Sequence, residues 1–154
     1  MSNYATENLR TLALVGHGSC GKTTLIEAML YRAGMIPEMG SIQRGTTMCD
    51  NDLLEKEVGH SIRLAVAHID TAMTDLTPVR IHILDTPGYP DYLGQDMSAL
   101  DAVKSVCAVI DPTKGPELLT RRLMAMAKER GLCRMIVINH MDDPEADLEK
   151  CLRE

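Results

Sequence analysis

An α/β fold, with a mostly parallel sheet and helices on both faces, is predicted by two observations. Short apolar runs alternate with helical patterns along the chain. The first of those runs opens directly into a glycine-rich turn and then a helix.

Leu9–Val15 reads as a first buried strand, and Lys22–Arg32 as a helix ended near Gly34. Met35–His60 has no clear period and reads as one long functional loop. Ile62–Ile69 and Val79–Leu84 read as strands joined by a turn near Asp75–Pro78. That short connection makes the pair antiparallel. Gly94–Val103 reads as a short helix with Met97, Leu100 and Val103 on one side, and Ser105–Ile110 as the next strand. Glu117–Arg130 carries Leu119, Leu123, Met126 and Ala127 at helical spacing, with Gly131 placed to end it. Met135–Ile138 is the last strand, and Pro144 marks a helix start.

With 154 residues, 45% hydrophobic and 25% charged, one domain with a substantial core is expected. There is no Phe or Trp, so aliphatic residues and eleven Met must fill that core. The net charge of −6 lacks the basic footprint of general DNA binding, though a local patch could serve another partner. No apolar run approaches the roughly 18 residues of a membrane span. The N-terminus lacks the basic-then-apolar order of a signal peptide. The five cysteines show no CxxC spacing and read as reduced thiols; neither they nor the histidines have metal-ligand spacing.

The turn after the first strand is Gly16-His17-Gly18-Ser19-Cys20-Gly21-Lys22-Thr23, with Thr24 next. This is GxxxxGK[ST] between a strand and a helix. Glycines let successive N–H groups turn inward around phosphate oxygens, and the helix adds its positive end. Lys22 supplies a point charge to the outer phosphates, and the Thr23 hydroxyl suits magnesium. His17 reads as support for the loop rather than as a chemical group. Cys20 lies within the loop, where oxidation would block binding; inert packing is the simpler reading.

Val79–Leu84 runs into Asp85-Thr86-Pro87-Gly88. An acidic residue at a strand's carboxyl end can hold magnesium, often through water. Gly88 can bring an N–H close to a terminal phosphate. Alone these four residues make an ordinary turn; after a strand and downstream of the first motif they make a second element. Asn139-His140-Met141-Asp142 follows the last strand, where ligands bind in such sheets. A carboxylate at Asp142 would accept two hydrogen bonds from guanine, and adenine has no such donor pair. Asn139 would tie this turn to the first loop or to the base. Read alone, the turn could equally open a helix, capped by Asp142 or Asp143.

Taken together, GHGSCGKTT, GSIQRGTTMCD, DTPGYPDY and NHMD resemble the translational GTPases, most closely elongation factor G and its paralogues. The resemblance runs from about Arg10 to Asp142. It implies a Ras-like P-loop GTPase fold binding GTP or GDP with Mg2+, a cytoplasmic location, and the ribosome as activating partner. A monomer is expected. Lys22, Gly88 and Tyr89 stand at the catalytic positions. The family's RGIT, whose Thr ligates magnesium, matches Val58-Gly59-His60-Ser61, so Ser61 would join Thr23 and Asp85 around the metal.

Four departures stand out. DTPGH reads DTPGY, putting Tyr89 where the catalytic histidine is expected. NKxD reads NHMD, so His140 could cover the base but lacks the aliphatic stem of Lys. Ser19 replaces a usual Asp in the phosphate loop. The chain ends before a further strand and helix, so the fold reads as truncated and the Met135–Ile138 edge as exposed. The resemblance implies GTP hydrolysis. A binding switch with little hydrolysis is the alternative that Tyr89 motivates, and an ATP-using P-loop enzyme is the one that NHMD opposes.

Overall fold

A computed structural model describes residues 4–49, 52–73 and 75–154. Five strands form one sheet: β1 (Leu9–Val15), β2 (Ala65–Ala72), β3 (Pro78–Asp85), β4 (Ser105–Ile110) and β5 (Cys133–Ile138), in the order β2-β3-β1-β4-β5. β1 lies parallel between β3 and β4, and β5 lies parallel to β4. β2 pairs antiparallel with β3, as the short connection between them requires.

Helices α1 (Lys22–Arg32), α3 (Leu93–Ala102) and α4 (Leu118–Glu129) cover the sheet, and α2 (Leu53–Val58) and α5 (Leu148–Arg153) are short. Strand alternation sorts the core into two layers. Ala13, Val15, Val106 and Ala108 meet Ala99 and Leu100 of α3 and Leu123 and Ala127 of α4. Leu14, Cys107 and Val109 point the other way, with Ile26 and Leu30 of α1. Both faces are therefore sealed largely by aliphatic side chains in a chain without Phe or Trp, and the α/β expectation holds.

Four local expectations need correction. Met35–His60 is not structureless, because Asp52 caps α2 in a reciprocal capping box with Glu55. The strand expected at Ile62 begins at Ala65. The Ile62 and Arg63 N–H groups donate to Glu55 Oε1 at 2.9 and 3.0 Å, and the Leu64 N–H donates to Gln95, so these donors are withdrawn from the ladder. The buried side of α3 is Asp96, Ala99 and Leu100, while Met97 is exposed. Pro144 lies in a turn; the last helix starts at Leu148, where Asp147 accepts from the Lys150 N–H at 2.8 Å. β5 is an edge strand with Met135 and Ile136 exposed.

Parallel pairing brings the functional segments to one end of the sheet. Leu14, two residues before Gly16, is in register with Asp85. Ile110 is in register with Ile138, and the Asn139 N–H extends the pairing to the Ile110 carbonyl at 2.9 Å. The turns after β1, β3, β4 and β5 thus converge at the carboxyl ends of their strands.

Candidate functional site

The loop between β1 and α1 is held from within. Lys22 is 5% exposed, and its ammonium donates to the Gly16 and His17 carbonyls at 3.0 and 2.9 Å. Gly21 has φ +91°, and a Cβ there would collide with the Asn139 amide and press on the His140 ring. Gly88 backs onto the Lys22 ammonium and the Gly16 carbonyl. The buried His17 ring donates through Nδ1 to the Gly18 carbonyl at 2.6 Å and lies 3.8 Å from Glu117, which suits loop support. Ser19 takes φ +65° and is exposed, as is Thr24. Cys20 is fully buried; burial pushes its thiol above the ordinary thiol range, with Lys22 opposing, so it packs as a neutral group.

Three hydroxyl and carboxylate oxygens meet beside this loop. Thr23 Oγ1 donates to Asp85 Oδ2 at 2.6 Å and lies 3.2 Å from Ser61 Oγ. Thr23 opens α1, Asp85 ends β3, and Ser61 comes from the segment after α2, so the fold assembles the group from three distant parts of the chain. Among the described residues no group of three or more His, Cys, Asp or Glu side chains could hold a metal. One carboxylate with two hydroxyls is instead a hard-oxygen set suited to magnesium, which fills its remaining positions with water and phosphate oxygens. A cleft of about 270 Å³ lies here, lined by Ser19, Gly21, Lys22, Thr23, Thr24, Ser61, Tyr89 and His140 with Ile42, Gln43, Gly59, His60 and Pro87.

At the other end of the cleft, the Asn139 amide donates to the Cys20 carbonyl at 3.0 Å, which fastens the turn after β5 to the phosphate loop. Of the two roles open to Asn139, this geometry is the tie to the loop. His140 takes φ +53° and donates through Nδ1 to Asp111 Oδ2 at 3.2 Å. Asp142 lies two residues beyond, exposed in a turn and clear of any capping role.

Tyr89 is the divider of the site. Its ring lies over Gly18, where an added Cβ would fall 2.7 Å from the ring Cε1 and from the hydroxyl. On its cleft side the His60 ring approaches to 4.5 Å between centroids, tilted by 42°. On its far side is a second cavity of about 510 Å³, between Tyr89, Pro90, Leu93 and the start of α4. That cavity is larger and more apolar, but it lacks the convergent oxygens, so the smaller cleft is the candidate nucleotide site.

Sequence reasoning missed the supports of this geometry. The buried Glu27 accepts from the Gly40 N–H at 3.0 Å and from the Met48 N–H, folding the first part of the long loop onto α1. Glu55 holds Ile62 and Arg63, and Gln95 Nε2 donates to the Ile62 carbonyl at 2.8 Å, so the backbone immediately after Ser61 is anchored. Thr86 donates to the Leu14 carbonyl at 2.9 Å. Asp111 is buried; desolvation alone would raise its pKa, yet bonds from Thr113 and His140 hold it at about 2. Asp111-Pro112-Thr113 directly after an apolar strand was a readable turn signal. A buried glutamate in the middle of a helix gives no such signal.

A phosphate loop, an oxygen cluster and a tied turn at the switch ends of a parallel sheet define a P-loop nucleotide-binding domain. Residues 7–154 match the elongation factor Tu GTP binding domain, and the chain belongs to that family, the translational GTPases. It is 35% identical over 149 residues to the mitochondrial ribosome-releasing factor 2 of Drosophila melanogaster, covering 97% of this chain and 20% of that one. It is 34% identical over 137 residues to the tetracycline resistance protein TetM from transposon Tn1545 of Enterococcus faecalis, covering 89% and 21%. A crystal structure of a Thermus thermophilus protein superposes with TM-score 0.84 at 34% identity, over 94% of this chain and 21% of that one. A bacterial selenocysteine-specific elongation factor superposes with TM-score 0.69 at 26% identity, over 91% and 21%. The chain spans about a fifth of the length of these relatives.

Proposed function

We propose that this chain binds GTP and GDP with Mg2+, hydrolyses GTP, and serves as the nucleotide-binding part of a ribosome-directed factor. The observation that carries this reading is the meeting of Thr23, Asp85 and Ser61 oxygens at the cleft that Lys22 also lines. Names such as ribosome-releasing factor 2 among the relatives support the ribosome as partner. No helix among the described residues is long and apolar enough to cross a membrane.

Each residue has a defined task. The N–H groups at the start of α1 have no partner within the helix and would face the phosphates. Lys22 would exchange its loop carbonyls for phosphate oxygens, and the Gly88 N–H would face the terminal phosphate. Thr23, Ser61 and Asp85 would hold magnesium, the last through water or directly. A bound magnesium supplies charge neutralisation to the phosphates. Asn139 keeps the turn after β5 on the loop, His140 covers the base, and Asp142 would swing to the guanine edge from its exposed position.

Single-turnover assays with GTP and ATP, with and without ribosomes, test this reading. GTP should be hydrolysed slowly alone, on the order of 10⁻⁴–10⁻² per second, and faster with ribosomes. Asp142→Ala should lower GDP affinity by at least about tenfold, because charge-assisted hydrogen bonds contribute roughly 1.5–3 kcal/mol each. Equal binding of ATP and GTP would remove the guanine assignment. A second reading, a nucleotide switch with little hydrolysis, is favoured by the Tyr89 ring lying over Gly18; GTP bound but unhydrolysed even on ribosomes would support it.

A further inference from the structure

We infer that His60, and not Tyr89, is the residue that orients the attacking water during GTP hydrolysis by this chain. The inference rests on the GTPase reading above and names a further residue of that site. His60 adjoins Ser61, whose hydroxyl lies 3.2 Å from Thr23, so the imidazole stands at the phosphate and metal end of the cleft. Two other imidazoles are near the loop, and neither is at that end. His140 is drawn toward Asp111 beside Gly21 and Asn139, and His17 is buried behind the loop against Glu117.

His60 Nδ1 lies 3.3 Å from the Ser61 carbonyl, which only accepts, so that nitrogen donates there. Nε2 is the ring nitrogen outside this bond, and a water-orienting side chain needs such an atom to present to the water. Tyr89 holds the ring from one side at 4.5 Å, and it is itself held over Gly18. The ring stacked over Gly18 leaves Tyr89 packed against the loop, while His60 lies on the cleft side of it. Glu55 and Gln95 anchor the Ile62–Leu64 backbone and so limit where His60 can stand.

In the step itself, a water oxygen forms a bond to the γ-phosphorus while the bond to the β–γ bridging oxygen breaks. The breaking bond's electron pair stays on GDP. One water proton is held by His60 Nε2 during attack and leaves with the phosphate product or to solvent. The products are GDP, inorganic phosphate and one proton, and no further reactant is needed.

The test uses this chain with magnesium, and reads both hydrolysis in single turnover and affinity for a fluorescent GDP. His60→Ala should lower the hydrolysis rate at least about tenfold and change GDP affinity less than about twofold. His60→Gln should retain part of the rate through its side-chain acceptor. Wild-type hydrolysis in His60→Ala overturns the inference, as does an equal loss of rate and GDP affinity, which would mark a structural role. A wild-type chain that binds GTP without hydrolysing it, with or without ribosomes, overturns the GTPase reading and this inference with it.

Discussion

The Asn139 side-chain amide reaches across the mouth of the sheet to the Cys20 carbonyl, 3.0 Å away. One hydrogen bond thereby ties the turn after β5 to the phosphate loop. A net bond of this kind contributes roughly 0.5–1.5 kcal/mol, and a carbonyl left without its donor costs more. Asn139→Ala should therefore weaken GDP binding by about tenfold and also quicken hydrogen exchange at Gly21 and Lys22 in the chain without nucleotide. Unchanged exchange in that loop would mean that the bond does not order it.

Thr23→Ala removes the hydroxyl between Asp85 and Ser61. If the proposed metal role of Thr23 holds, GDP affinity should fall severalfold when magnesium is present and hardly at all when it is chelated. Isothermal titration with and without chelator separates the two. An equal loss in both conditions would place Thr23 in phosphate binding or in the fold.

Gly18 faces the Tyr89 ring so closely that a methyl group has no room. Gly18→Ala should cost roughly 1–3 kcal/mol, the usual range for overpacking, or else push Tyr89 aside. Tyr89→Ala should relieve most of that cost, giving a coupling of at least about 1 kcal/mol in a double-mutant cycle of unfolding midpoints. Additive effects would show that the ring does not rest on Gly18 in solution.

The motifs were legible because they are local. GxxxxGK[ST] and the strands beside it follow from glycine, charge and apolar runs within a few residues. β1, α1 and β4 match their expected bounds for the same reason. Side chains acting far along the chain were not legible. Glu55 takes the N–H groups of Ile62 and Arg63 and so delays β2, and no periodicity announces that. The contact between His60 and Tyr89 depends on two loops meeting, which only the assembled sheet decides.

Asp111 links acidity to the end of the cleft at the turn after β5. Its carboxylate is buried at the end of β4, where desolvation favours the neutral acid. The Thr113 hydroxyl and N–H donate to it at 2.7 and 2.9 Å, and His140 at 3.2 Å. Those donors win, and its pKa stands at about 2 against an ordinary 3.8. A folded value below the unfolded one means that the ionised form stabilises the fold. The contribution is fully present above pH 3.8 and is lost as pH falls through about 2. Its size is on the order of 2 kcal/mol. Asp111→Asn should therefore unfold at a lower temperature than the wild type at pH 6, and the gap should narrow steadily between pH 4 and 2. His140→Ala removes one of the three donors, so its acid unfolding limb should move to higher pH. Melting curves of the three proteins across pH 6 to 2 check both statements. A gap that stays constant down to pH 2 would show that Asp111 is not held by these bonds, and His140 would then lose its anchor at the turn after β5.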